Sequence, residues 1–64
     1  MMMPYTNLKT KGSYILTDIA MDCTNSRHGE SVAVYTDHSG QVFCREFKEF
    51  KKKFVRTGEL DNEI

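Results

Sequence analysis

Tyr35 and Arg45 stand on either side of the turn signal Asp37-His38-Ser39-Gly40. A turn there places them on facing strands of one hairpin, with both side chains on the same face. A guanidinium beside a phenol can hold a phosphate or carboxylate through two parallel hydrogen bonds and stack against a ring. Asp22 and Thr24, in the polar connection further upstream, and Phe43, on the face of Arg45, complete a candidate ligand- or partner-binding set. The competing reading is structural. Arg45 would pair with Asp22 or Glu30 and lay its stem along Tyr35, keeping its charged end in water. Exposed pairs of that kind contribute little. A second candidate is the basic patch of Lys48, Lys51, Lys52, Lys53 and Arg56, which could attract phosphates or an acidic protein face. The ordinary role of such a run is a solvated helix face that opposes aggregation.

Other chemistry is not expected. His28 and His38 fall in predicted loops, without a cysteine or serine partner at a catalytic spacing. Paired carboxylates, a phosphate-binding glycine loop and a nucleophile elbow are all missing from the sequence. Cys23 and Cys44 do not stand at zinc-ligand spacing from the histidines, so they read as structural or incidental thiols. A chain of this size rarely builds the concave, water-excluding pocket that catalysis needs. The expectation is a protein that is not an enzyme and carries no cofactor or metal.

The 64 residues allow one domain, and its stability is marginal because so short a chain buries only about 60% of its unfolded surface. Seven aromatic residues, four Phe and three Tyr, suffice for one small core. The formal net charge is zero, whereas nucleic-acid binders draw most of their affinity from a basic excess. Nucleic acid is therefore the less favoured partner. Met1-Met2-Met3-Pro4 is too short for the apolar core of a secretory signal, and no run approaches the roughly 20 apolar residues of a membrane span. These points predict a cytoplasmic protein without membrane contact. Marginal size also favours a homo-oligomer, since subunit contacts add buried area.

These residues must be positioned by strands. Residues 1–10 read as a lead-in segment in which Tyr5 and Leu8 can pack, closed by the turn signal Lys11-Gly12-Ser13. Ser13 to Met21 reads as the first long strand, its β-branched residues and tyrosine outweighing a helical alternative. Strict alternation predicts Ile15, Thr17, Ile19 and Met21 on one face, and Tyr14, Leu16, Asp18 and Ala20 on the other. Asp22 to Glu30 is a polar connection with a mobile tip. Ser31–Thr36 and Gln41–Arg45 form the strongest hairpin signal, with Gly40 supplying positive φ. From Glu46 to Phe54 the period changes. Phe47, Phe50 and Phe54 recur at the spacing of one helical face, which predicts a short helical turn whose rings plug the end of a barrel. A last short strand at Phe54–Arg56 and an acidic tail from Gly58 to Ile64 complete the chain. Five strands in this order predict an all-β barrel, a closure that hides sheet edges.

The segment Lys11-Gly12-Ser13-Tyr14, the strand end Ile19-Ala20, the element Ala33-Val34-Tyr35 and the run from Phe43 to Phe50 resemble, in order and spacing, a family of small bacterial and phage proteins. That family is classed as a domain of unknown function. The similarity covers roughly Lys11 to Phe50. It implies a five-stranded SH3-like barrel spanning residues 11–57, with a short helical turn before the last strand. The chain departs from the pattern twice. Asp22-Cys23-Thr24-Asn25 stands where the family has His-Ser-Glu-Thr, and Glu46 replaces a proline. The resemblance also implies a phage-encoded protein working in the host bacterial cytoplasm.

The function expected on these grounds is a small interaction module that binds a host protein and modulates or inhibits it. The alternative is a binder of nucleotides or other phosphorylated small molecules, assembled across an oligomer.

Overall fold

The predicted alternation does produce strands. The computed structural model describes residues 1–24 and 29–58. They form β1 (Met3–Asn7), β2 (Ser13–Asp22), β3 (Glu30–Thr36), β4 (Val42–Glu46), α1 (Phe47–Lys53) and β5 (Phe54–Arg56). The strands make one antiparallel sheet in the order β4-β3-β2-β1-β5. The architecture is thus all-β, with one short helix ahead of the last strand. The tip of the polar connection, with His28, and the acidic tail beyond Gly58 lie outside the described residues. Among the described residues no helix is long and apolar enough to cross a membrane.

The lead-in segment contributes a strand, Met3–Asn7, to the sheet. β1 pairs with β2 on one side and with β5 on the other. Tyr5 packs edge-on against Phe50, at 5.0 Å between ring centroids. Leu8 lies beyond the strand and is exposed. Its amide donates to the Lys53 carbonyl at 2.9 Å, which ties the β1–β2 turn to the end of α1.

β2 corrects the expected faces. Leu16 pairs with Tyr35, but Asp18 pairs with Val34 and Ile19 with Ala33, so Thr17 is an inserted residue. A bulge of this kind shifts the alternation by one and increases local twist. Tyr14 and Leu16 therefore share the core face with Ile19, and Ile15 does not. The Thr17 hydroxyl donates to the Val34 carbonyl at 3.2 Å, which helps to hold the bulge.

The core is aromatic. Leu16, Ala33, Tyr35, Phe50 and Phe54 are buried, and Met3, Tyr5, Tyr14, Phe43 and Phe47 pack against them. Phe50 and Phe54 stack at 4.5 Å with their planes 9° apart. Tyr14 meets Tyr35, Phe43 and Phe54 edge-on at 5.7, 6.1 and 5.3 Å. Edge-to-face and offset rings are favoured by the quadrupole, so these pairs contribute beyond their buried area.

The helix is a seven-residue α-helix, longer than the single turn expected. Phe54 is not on it. It starts β5, in extended backbone, and its amide caps the helix by donating to the Phe50 carbonyl. Lys51, Lys52 and Lys53 sit in the last turn, where cations complement the helix dipole.

Two turns carry predictions. In the β3–β4 turn the Asp37 carboxylate accepts from the Ser39 hydroxyl (2.7 Å), the Ser39 amide (2.9 Å) and the Gln41 amide (3.1 Å). The Ser39 hydroxyl, chiefly, holds the Asp37 carboxyl below its ordinary range. A carboxyl depressed on folding stabilises the fold above its unfolded pKa and loses that contribution as pH falls through the folded one. Asp37→Ala is expected to lower Tm at neutral pH, with the gap to wild type closing on acidification below the ordinary carboxylate range. Thermal melts across an acid series measure this. In the β1–β2 turn Lys11 adopts φ 65°, a left-handed backbone that side chains disfavour. Lys11→Gly is expected to stabilise by about 0.5–1 kcal/mol, read as a rise of a few degrees in Tm.

Candidate binding site around Arg45

Arg45 sits on the core face of β4, directly across from Ala33. Ala33 is fully buried and small, so the arginine stem can run over it toward the sheet interior. The Arg45 Nε donates to the Tyr35 hydroxyl at 3.3 Å, and Nη1 pairs with Glu49 Oε1 at 2.5 Å. The bond to Tyr35, foremost, and the pairing with Glu49 raise the pKa of Arg45 above its ordinary value. The side chain is held by two partners from two elements, which fixes its direction.

Tyr35 serves the core. Its ring stacks on Phe43 at 5.4 Å and tilts against Phe50 and Phe54 at 5.0 and 5.2 Å. Only 4% of it is exposed, so it orients Arg45 instead of offering a ring face to a ligand. Phe43 is half-buried in the same stack. The structural reading of Arg45 laid against Tyr35 thus describes the geometry, with Glu49 as the ion-pair partner.

Asp22 ends β2 and comes to the same cleft as Arg45. Asp22, Val32, Cys44, Arg45, Glu46 and Glu49 line a space of about 430 Å³. Thr24 is exposed and does not line it; its amide donates to the Asp22 carboxylate at 2.8 Å. Cys23 and Cys44 are exposed free thiols.

The predicted basic patch is divided. Successive residues on a helix point about 100° apart, so Lys48, Lys51, Lys52 and Lys53 spread over more than one side of α1. Lys52 and Lys53 join Arg45 in a second cleft, of about 300 Å³, whose other wall is Asn7, Leu8, Lys9 and Thr10. Lys48 and Lys51 face Gly29, Glu30 and Ser31 across Phe47, with the Lys51 ammonium 5.0 Å from the Phe47 ring centre. Lys51 also flanks Arg56 beside Tyr5 and Phe54.

Sequence reasoning missed Lys9 and Thr10. The signal was present in Asn7, a residue type that bonds its own following backbone. The Asn7 side-chain oxygen accepts from the Lys9 and Thr10 amides at 2.9 and 3.0 Å. This turn presents Lys9 and Thr10 opposite the helix end.

Among the described residues no group of three or more His, Cys, Asp or Glu side chains could hold a metal ion. No family model, curated protein or solved structure matches the chain.

Proposed function

We propose that the protein is a non-enzymatic interaction module of SH3-like barrel form that adds an extended strand of a host protein to the outer half of β2. The strand order, the bend at Thr17 and the helix placed between β4 and β5 support the barrel reading. The order of motifs from Lys11 to Phe50 supports the phage and bacterial family.

One observation carries the binding reading. β1 covers β2 only from Ser13 to Leu16, whereas β3 accompanies β2 as far as Asp22. Thr17 to Asp22 therefore has a strand on one side only among the described residues. Ile19 and Met21 on this stretch are 38% and 65% exposed. Edge strands with apolar side chains recruit extended segments through main-chain hydrogen bonds, and alternate side chains give specificity. Asp18 and Asp22 lie on this stretch, so an incoming strand that alternates apolar and basic residues is the complementary one. The Asp18 carboxylate accepts the Ile19 amide at 2.8 Å. That contact occupies the edge until a partner strand displaces it.

The test pairs capture from host lysate with hydrogen exchange on the retained complex. Wild type is expected to hold one protein stoichiometrically, with slowed exchange at Thr17–Asp22. Ile19→Lys with Met21→Lys should lose that protein while the chain stays folded with a modest drop in Tm, because Met21 is 65% exposed and Ile19, at 38%, gives up only part of its packing. Equal retention by the double variant, or protection elsewhere, would sink the edge-docking reading. Asp18→Ala, which uncovers the Ile19 amide, is expected to tighten capture several-fold. Edge protection that rises with protein concentration in the absence of partner would instead assign the edge to a second copy.

A further inference from the structure

The cleft between the β1–β2 turn and the C-terminal end of α1 shares no residue with the β2 edge, and its chemistry is different. Four cationic side chains line it, Lys9 from the turn, Arg45 from β4, and Lys52 and Lys53 from the helix, and no carboxylate is among its lining residues. Thr10 adds a hydroxyl to the same wall; its oxygen accepts from the Gly12 amide at 3.2 Å, and its O–H can donate to an anion. We propose that this cleft binds a phosphate monoester.

Three features support that ligand class. First, the walls are pre-organised. Asn7 holds the turn through its side-chain oxygen, the Lys11 amide donates to the Asn7 carbonyl at 2.8 Å, and the Leu8 amide fastens the turn to Lys53. Arg45 is held by Tyr35 and Glu49. The turn backbone and the Arg45 side chain are thus ordered on folding, which lowers the entropy lost on binding, while the exposed lysine side chains order with the ligand. Second, the C-terminal end of α1 by itself disfavours an anion, and the Leu8 bond to the Lys53 carbonyl together with Lys52 and Lys53 of the last turn offsets it. Third, the charge calls for a dianion. A carboxylate brings one charge and two acceptor oxygens. A phosphate monoester brings nearly two charges and three acceptor oxygens, enough to engage an arginine fork and lysines from opposite walls together. About 300 Å³ accommodates the phosphate and the first atoms of what carries it.

Glu49 is the counter-argument, since it already neutralises part of Arg45. It pairs with Nη1 alone in that contact, and Lys9, Lys52 and Lys53 supply the rest of the attraction. Glu49 lines the neighbouring cleft with Asp22 and is not in the wall of this one.

The experiment is an amide-resolved NMR titration of the full chain with inorganic phosphate at constant ionic strength, using chloride as the control anion. Saturable shifts confined to Leu8, Lys9, Thr10, Lys52 and Lys53 are expected. Lys9→Ala with Lys52→Ala should weaken phosphate binding about tenfold, since each screened charge contact is worth a few-fold. Lys48→Ala with Lys51→Ala, outside the cleft, should leave it unchanged, and both double variants should stay folded with similar, small drops in Tm from the lost helix-dipole and Phe47 contacts. Non-saturating shifts spread over Lys48, Lys51 and Arg56, or equal losses of phosphate binding in the two double variants, would overturn the site. Repeating the titration with a nucleoside monophosphate and with a phosphoserine peptide separates the two sources of the group. Tighter binding of the first assigns a phosphorylated small molecule, and of the second a phosphorylated protein side chain. The β2-edge variant Ile19→Lys with Met21→Lys should bind phosphate normally, so the two readings fail independently.

Discussion

Phe50→Ala is expected to cost about 3–5 kcal/mol and to leave much of the protein unfolded. The whole stability of a 64-residue domain is about 3–10 kcal/mol at typical per-residue values. Phe50 is fully buried and touches three parts of the fold. It meets Tyr5 of β1 edge-on, tilts against Tyr35 of β3 and stacks on Phe54 of β5. No nearby side chain can close such a gap, because its neighbours are rings held by their own packing. Urea denaturation followed by far-ultraviolet circular dichroism measures the loss. Phe50→Leu, which keeps much of the volume, should stay folded with a lowered midpoint. A Phe50→Ala midpoint close to wild type would mean that α1 does not seal the core.

Tyr35→Ala is expected to lose a similar amount, about 3–5 kcal/mol, and here the contrast between substitutions is informative. If Tyr35 were a ligand platform, alanine would abolish binding and spare the fold. Its ring is buried among Tyr14, Phe43, Phe50 and Phe54, so alanine should unfold the protein first. Tyr35→Phe keeps the ring and removes only the hydroxyl that accepts from Arg45. It should cost about 1 kcal/mol and release the Arg45 side chain from one of its two partners. Thermal melts give the first quantity, and side-chain NMR of the Arg45 Nε group gives the second. A Tyr35→Ala protein as stable as wild type would return Tyr35 to the set of ligand contacts.

Much of the local structure is legible in the residues themselves. The β3–β4 hairpin follows from alternation on either side of Asp37-His38-Ser39-Gly40, and Gly40 takes the positive φ, 87°, that the turn requires. The inward face of that hairpin, Ala33, Tyr35, Phe43 and Arg45, is a direct consequence of period-two geometry. The helical face of Phe47 and Phe50 is legible for the same reason at period 3.6. Neither reading needs more than neighbours along the chain.

Other features depend on contacts that no local pattern contains. The bulge at Thr17 inverts the faces of the rest of β2, because the register of a strand is set by its partner and a one-residue slip moves every later side chain across the sheet. Phe54 continues the helical spacing in sequence, yet pairing with β1 draws it into β5. The candidate site shows the same division. Arg45 and its placement beside Tyr35 follow from the hairpin. Its pairing with Glu49, and its meeting with Lys9, Lys52 and Lys53, follow from where the β1–β2 turn docks on α1. By itself, then, the sequence determined which residues become strands, turns and helix, since backbone sterics and side-chain periodicity act over a few residues. The tertiary structure alone decided which charges share a cleft and which strand edge lacks a second neighbour among the described residues, since docking distant segments depends on the packing of the whole aromatic core.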